Sequence, residues 1–166
     1  MRRTPVPYAG TEWDVPADAL LVNGLGSVRS AVARARLWDL MKRRPAGAKF
    51  INVIHPAASI DPSAILGEGV QILAGAIVAG RAHLGDDVIV NTRAVVEHDC
   101  FIGDHSHIAP GAVLCGDVTV GARTHVGAGA TVVQGVTLGH DVTVGAGAVV
   151  IRDVAPGRTV VGCPAK

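Results

Sequence analysis

Seven histidines stand out in a chain whose 166 residues are otherwise poor in reactive side chains. His98 is followed by Asp99, so a carboxylate is available to orient an imidazole and make it a general base. His107 and His125 lie 18 residues apart, and Gly116 lies 18 residues beyond His98. Any fold with an 18-residue coil would therefore stack the two histidines and place a glycine backbone one layer over His98. A base with a backbone N–H donor beside it suits acyl transfer, in which one group takes a proton and the other meets the developing oxyanion. Cys100, Cys115 and Cys163 form no CxxC pair and are odd in number, so they read as reduced thiols. After Leu20-Leu21-Val22-Asn23, the turn Gly24-Leu25-Gly26 could present amides to a phosphate. It lacks the third glycine of a dinucleotide fingerprint.

Such a coil is written in the sequence. Counted in sixes from Ile60, the first positions run Ile60, Leu66, Ile72 and onward to Val150, and all sixteen are aliphatic. The fifth positions, from Ala64 through Cys100 and Ser106 to Val154, are all small or β-branched. Glycine is frequent at the second position. No α-helix keeps a period of six, and a simple strand alternates in twos. One short strand and a turn per hexad, with three hexads per triangular coil, is the hexapeptide-repeat β-helix. Sixteen hexads make about five coils, stacked at ~4.8 Å. The composition agrees, with 3% aromatic residues, 49% hydrophobic residues and 21 glycines. Thin layers of small aliphatics suit it better than one large core.

Hexad phase assigns directions. His98 falls at a third position, on a corner of the triangle. His107 and His125 fall at sixth positions, on an outer flat face. Cys100, at a fifth position, faces the core. With His98 at one corner, the next corners lie near Asp104 and Pro110, so His107 lies on the side opposite His98. The remaining histidines, His83, His105, His125 and His140, read as surface residues.

Residues 1–54 read as a different unit, with residues 55–166 as the β-helix domain. Ala19–Asn23 forms a strand, and Ser27 caps a helix over roughly 28–43 with Ala33, Leu37, Leu40 and Met41 on its apolar stripe. Phe50–Ile54 forms a second strand. This is a small β-α-β, partial Rossmann-like unit behind an N-terminal arm. Arg34, Arg36, Lys42, Arg43 and Arg44 read as a solvated basic helix end. Lys plus Arg is 15 and Asp plus Glu is 14. That balance argues against a nucleic-acid partner and gives no support for an anionic membrane surface. With no long apolar run and no signal-peptide pattern, a cytoplasmic protein is expected.

The string Asn91-Thr92-Arg93-Ala94-Val95-Val96-Glu97-His98-Asp99-Cys100-Phe101-Ile102-Gly103-Asp104-His105-Ser106-His107 resembles the catalytic stretch of the NeuD/PglD-like sugar acetyltransferases. The likeness to left-handed β-helix acyltransferases covers roughly residues 54–166, and the left hand is implied by it alone. It implies an acetyl-CoA-dependent N-acetyltransferase acting on an amino group of a nucleotide-linked sugar, with the chain a homotrimer. Within it, His98 is the general base, Asp99 its acidic neighbour, and His107 and Gly116 the acetyl and oxyanion contacts. Ala128, Ala146 and Pro164 fall along the coenzyme A groove, and Asn91, Gly24 and Gly26 on the acceptor side. No metal is implied: β-helices with a zinc site use two histidines five residues apart, and no pair here has that gap. Sugar O-acetylation by the same residues and a non-catalytic trimeric scaffold are the alternatives. Relatives begin with a fuller nucleotide-binding domain carrying an early G-x-x-G-H loop. This chain is expected to be either shortened or recorded from an internal start.

Overall fold

The computed structural model describes residues 20–27, 31–43 and 49–166. The hexads form a parallel β-solenoid of three sheets, built from two-residue strands that each pair with the strand one coil away. Sheet one has six strands, from Ser59–Ile60 to Val149–Val150. Sheet two has five, from Ile65–Leu66 to Thr137–Leu138, and sheet three has seven, from Val53–Ile54 to Thr159–Val160. Eighteen strands at three per coil give about six coils, one more than the hexad count from Ile60 predicts.

First-position residues fill the prism. From Ile72 to Val150 each is buried, and fifth-position residues from Val70 to Ala148 join them. From Gly69 to Gly147 each hexad turns its corner through the left-handed backbone region at the fourth position, where Asp87, Asp99, Asp117 and Asp141 have φ of 57–61° alongside several glycines. Asp tolerates this conformation better than most residues, because its short side chain bonds locally. The repeat slips once. Val154 pairs with Leu138, a first-position residue, and Thr159–Val160 pairs with Thr143–Val144, so the last coil is two residues shorter. Val154, expected at a fifth position, therefore occupies a first position.

The N-terminal unit consists of β1 (Leu20–Leu21), α1 (Val32–Lys42) and β2 (Lys49–Phe50), with β1 and β2 parallel. The run 50–54 is not one strand: Phe50 belongs to β2, while Val53–Ile54 opens sheet three by pairing with Gln71–Ile72. The helix begins at Val32, with Ala31 at its N-cap and no side-chain cap. Ser27 is thus not the cap of this helix, and residues 28–30, where the first turn is expected, and 44–48, including Arg44, lie outside the described set. The buried helix positions are Arg34, Ala35, Trp38 and Met41, while Leu40 is exposed. The sequence stripe missed this because the helix docks on side chains of the solenoid. Trp38 stacks on Phe50 at 3.9 Å and meets the His105 ring edge-on.

Arg34 is buried and not part of a solvated end. It pairs with buried Asp87, which also receives bonds from Asn23 Nδ2 (3.1 Å) and His105 Nδ1 (3.0 Å). Desolvation works against both charges, raising the Asp87 pKa and lowering that of Arg34, and their mutual attraction offsets part of that cost. His105 is therefore a buried-cluster residue and not a surface one. Lys42 bonds Glu68, while Arg36 and Arg43 are exposed as expected. No described helix is long and apolar enough to cross a membrane.

Candidate functional site: a histidine corner and a groove on the opposite face

His98 sits between Val95–Val96 of sheet one and Phe101–Ile102 of sheet two, at the corner where these sheets meet. Its ring is half exposed, and its Nδ1 lies 2.8 Å from Asp99 Oδ2. Arg81, one coil back, grips the same carboxylate through Nε to Oδ1 (2.6 Å) and Nη2 to Oδ2 (2.7 Å). The bonds from Arg81, and after them the one from His98, hold the Asp99 pKa down to about 2. Asp99 is thus a carboxylate at any working pH, so His98 carries its proton on Nδ1 and turns the Nε2 lone pair outward. That nitrogen faces Gly116: a Cβ built there would stand 2.7 Å from Nε2 and 2.6 Å from Cε1. Among the described residues no acceptor takes the Gly116 N–H. The corner therefore brings together an imidazole oriented by a carboxylate and an amide N–H without an acceptor, one coil apart as the 18-residue spacing predicts.

The sixth-position stacking also holds. His107 and His125 are in register on sheet three, with ring centroids 5.0 Å apart. Both are buried, so His125 is no surface residue: the loop ending at Ser27 covers them. His107 Nδ1 lies 2.9 Å from Ser27 Oγ and 3.0 Å from the Ser27 carbonyl, and Nε2 lies 2.9 Å from Asn91 Nδ2. Asn91 Oδ1 accepts the Thr92 N–H, so its amide nitrogen faces His107 and donates. His107 is then a neutral ring with its proton on Nδ1. Burial, with a smaller contribution from His125, pushes its pKa down to about 4. Burial lowers that of His125 too.

A groove of about 500 Å3 opens beside this pair, lined among others by Ser27, His107, His125, Pro110, Ala128 and Ala146. Pro110, Ala128 and Ala146 stack along the corner between sheets three and one. Pro164 is exposed and does not line the groove, because the shortened last coil moves it out of the 18-residue register. Gly24 and Gly26 are exposed on the loop before Ser27. A side chain at either would meet nothing, so neither glycine is required by a close approach. Arg34 takes the Leu25 carbonyl of this loop, at 2.5 Å.

Within one chain the prism core separates the two halves. His98, Asp99 and Gly116 occupy one corner; Asn91, His107, Ala128 and Ala146 belong to sheet three and its far corner. Cys100 is buried with its pKa raised to about 11, chiefly by desolvation, and its Sγ–H bonds the Cys115 carbonyl. A thiolate nucleophile is not available there. Among the described residues no group of three His, Cys, Asp or Glu is arranged to hold a metal ion.

The parts played here by Arg81 and Ser27 escaped the sequence reading, as did the burial of His125. Arg81 stands 18 residues before Asp99, a signal the coil length makes visible. Ser27 had none, since its contacts span 80 residues or more.

Two repeat models match the chain. One, described as bacterial transferase hexapeptide (six repeats), covers residues 81–116 and 99–134, and the other, the hexapeptide repeat of succinyl-transferase, covers 117–152. Among solved structures, PerB from Caulobacter crescentus, in complex with CoA and GDP-perosamine, is 43% identical over 84% of this chain and 66% of its own, with a TM-score of 0.79. The acetyltransferase domain of PglB from Neisseria gonorrhoeae, also solved with acetyl coenzyme A, is 42% identical over 84% of this chain and 67% of its own, again at 0.79. WeeI from Acinetobacter baumannii is 29% identical, covers 92% of this chain and 73% of its own, and has a TM-score of 0.83. No curated protein matches the sequence. The chain spans just under two thirds of the length of the Caulobacter protein. Repeat and likenesses agree, and the chain belongs to the hexapeptide-repeat, left-handed β-helix acyltransferase family.

Proposed function

We propose that this chain transfers the acetyl group of acetyl-CoA to an amino group of a nucleotide-linked sugar. The observation that carries the reading is the corner itself: Asp99 orients His98, whose Nε2 faces the unpaired amide of Gly116. The amine attacks the thioester carbonyl, His98 Nε2 takes its proton, and the Gly116 N–H meets the oxyanion. As the tetrahedral intermediate collapses, the C–S bond breaks and the leaving sulfur takes the proton from His98, so that CoA departs as the thiol and the base is restored. His98 touches the reacting nitrogen, and Asp99 keeps the ring in the required tautomer.

The other half of the site is the sheet-three groove. Ala128 and Ala146 give a smooth apolar wall for the pantetheine arm of CoA. His107, whose Nε2 accepts from Asn91, lines the acetyl end and fixes the Asn91 amide. The Gly24–Gly26 loop leads into Ser27 at the edge of the groove, on the side assigned to the acceptor. Because the core separates His98 from this groove, one copy's corner works against another copy's face, and a closed homotrimer supplies that contact three times. The same enzyme class is favoured by the relatives solved with CoA or acetyl coenzyme A, one of them together with GDP-perosamine.

Thiol release from acetyl-CoA, measured with a panel of amino-sugar nucleotides and their hydroxy-sugar counterparts, tests the reading. Turnover confined to the amino sugars supports N-acetylation. Turnover of the hydroxy sugars transfers the same residues to O-acetylation, and no release with any acceptor contradicts the enzyme reading.

A further inference from the structure

We infer that Arg81 is a positioning residue for acetyl transfer, acting through Asp99 on His98. The inference rests on the base assignment just made. Arg81 and Asp99 are both fourth-position residues in the left-handed backbone region, with φ of 57° and 61°, stacked one coil apart on the same corner. The guanidinium lies fork-on against the carboxylate and takes both oxygens. An Asp on an exposed corner, held by one bond to a half-exposed imidazole, is free to rotate about its two side-chain torsions. Two parallel bonds from a planar fork remove that freedom and fix the carboxylate plane. Oδ2 then stays on His98 Nδ1, and Nε2 stays over Gly116. Arg81 is itself rooted one coil further back: its N–H bonds Ser63 Oγ at 3.0 Å, and that hydroxyl donates to Asp61 Oδ1 at 2.6 Å.

The chain carries an internal control. Forty-two residues on, Arg123 grips Asp141 in the same fork, at 2.8 and 2.6 Å, and His140 Nδ1 lies 2.9 Å from Asp141 Oδ2. That trio lies on another corner and has no place in the proposed reaction. If the Arg–Asp rung mattered only for stacking the coils, removing either arginine should do the same thing.

The test compares Arg81→Met, Arg81→Lys and Arg123→Met in the thiol-release assay, with Arg81→Met also made in an Asp99→Asn background. The expected results are a fall in kcat of about tenfold for Arg81→Met, with KM for acetyl-CoA within about twofold, and only partial rescue by lysine, which has no fork. Arg123→Met should stay within about twofold of the parent, and in the Asp99→Asn background loss of Arg81 should cost less than about twofold. Equal losses from Arg81→Met and Arg123→Met would overturn the inference, as would an undiminished tenfold loss in the Asp99→Asn background. Normal kcat in Arg81→Met beside an inactive His98→Ala would overturn it while leaving the base assignment standing. An active His98→Ala would instead remove the base assignment, and the inference with it.

Discussion

Two corners of the solenoid carry nearly the same side chains. At one, Arg81, Asp99 and His98 form a chain of hydrogen bonds; at the other, Arg123, Asp141 and His140 repeat it atom for atom. Both histidines are more than half exposed, and both aspartates are held down to about 2 by the arginine first and the histidine after it. What differs is the residue one coil further on. Asp117 N bonds the His98 carbonyl, which puts Gly116 over that corner; Gly157 N bonds the His140 carbonyl, which puts Pro156 there. Glycine leaves room for the ring and offers an N–H, whereas proline has neither a small profile nor a donor. In the proposed reaction an oriented histidine alone would not suffice, and the amide donor present at one corner and absent from the other is what distinguishes them.

The largest effect should come from the histidines themselves. His98→Ala should lower kcat by on the order of 10²–10⁴ with acetyl-CoA affinity nearly unchanged, because proton transfer matters only in the transition state. His140→Ala should turn over normally. Comparable losses at both corners, measured by steady-state thiol release, would erase the distinction.

Next comes the residue above the ring. In Gly116→Ala the new Cβ would stand 2.6 Å from His98 Cε1, so the imidazole must move off the amide. A loss of about 10² in kcat is expected, against a change within about twofold for Pro156→Ala. A Gly116→Ala enzyme with normal kcat would show that the close approach is incidental.

Much of this was readable before any coordinates. Each hexad buries one aliphatic at position one and one small residue at position five, so the period survives in the sequence and fixes the phase of His98, Gly116, His107 and Cys100. Position four was not read, although its Asp and Gly residues mark the left-handed corners that aim Arg81 and Asp99. Long-range docking was not legible either. Arg34 finds Asp87, Trp38 finds Phe50 and His105, and Ser27 leaves its expected cap for His107, and no local pattern encodes those partners. The two-residue slip near Val154 broke the phase and with it the placement of Pro164.

A smaller effect distinguishes the corners from the groove by pH. Asp99 and Asp141 stay ionised down to about 2, so the corners keep their charges through mild acid. His107, buried and neutral, has its pKa pushed from 6.5 to about 4. As pH falls below 6.5 the unfolded chain binds a proton at this residue that the native chain refuses until about 4. The His107 contribution to stability should therefore decline across that window, by up to about 3 kcal/mol, and level off below it. His125 is shifted in the same direction and adds to the slope. Urea midpoints taken from pH 7 to 4 should fall less steeply in His107→Asn than in the parent, and an identical slope would contradict the buried, neutral assignment.

The claim on which the mechanism turns is that the His98 corner of one copy acts on substrate held in the His107 groove of another. Co-refolding His98→Ala chains with His107→Ala chains tests it directly, with mass measurement confirming mixed assemblies and each parent shown to be assembled and inactive alone. Mixed assemblies contain interfaces that pair an intact His98 from one chain with an intact His107 from its neighbour, so recovered thiol release is the predicted result. Mixed assemblies that remain inactive would contradict the shared site.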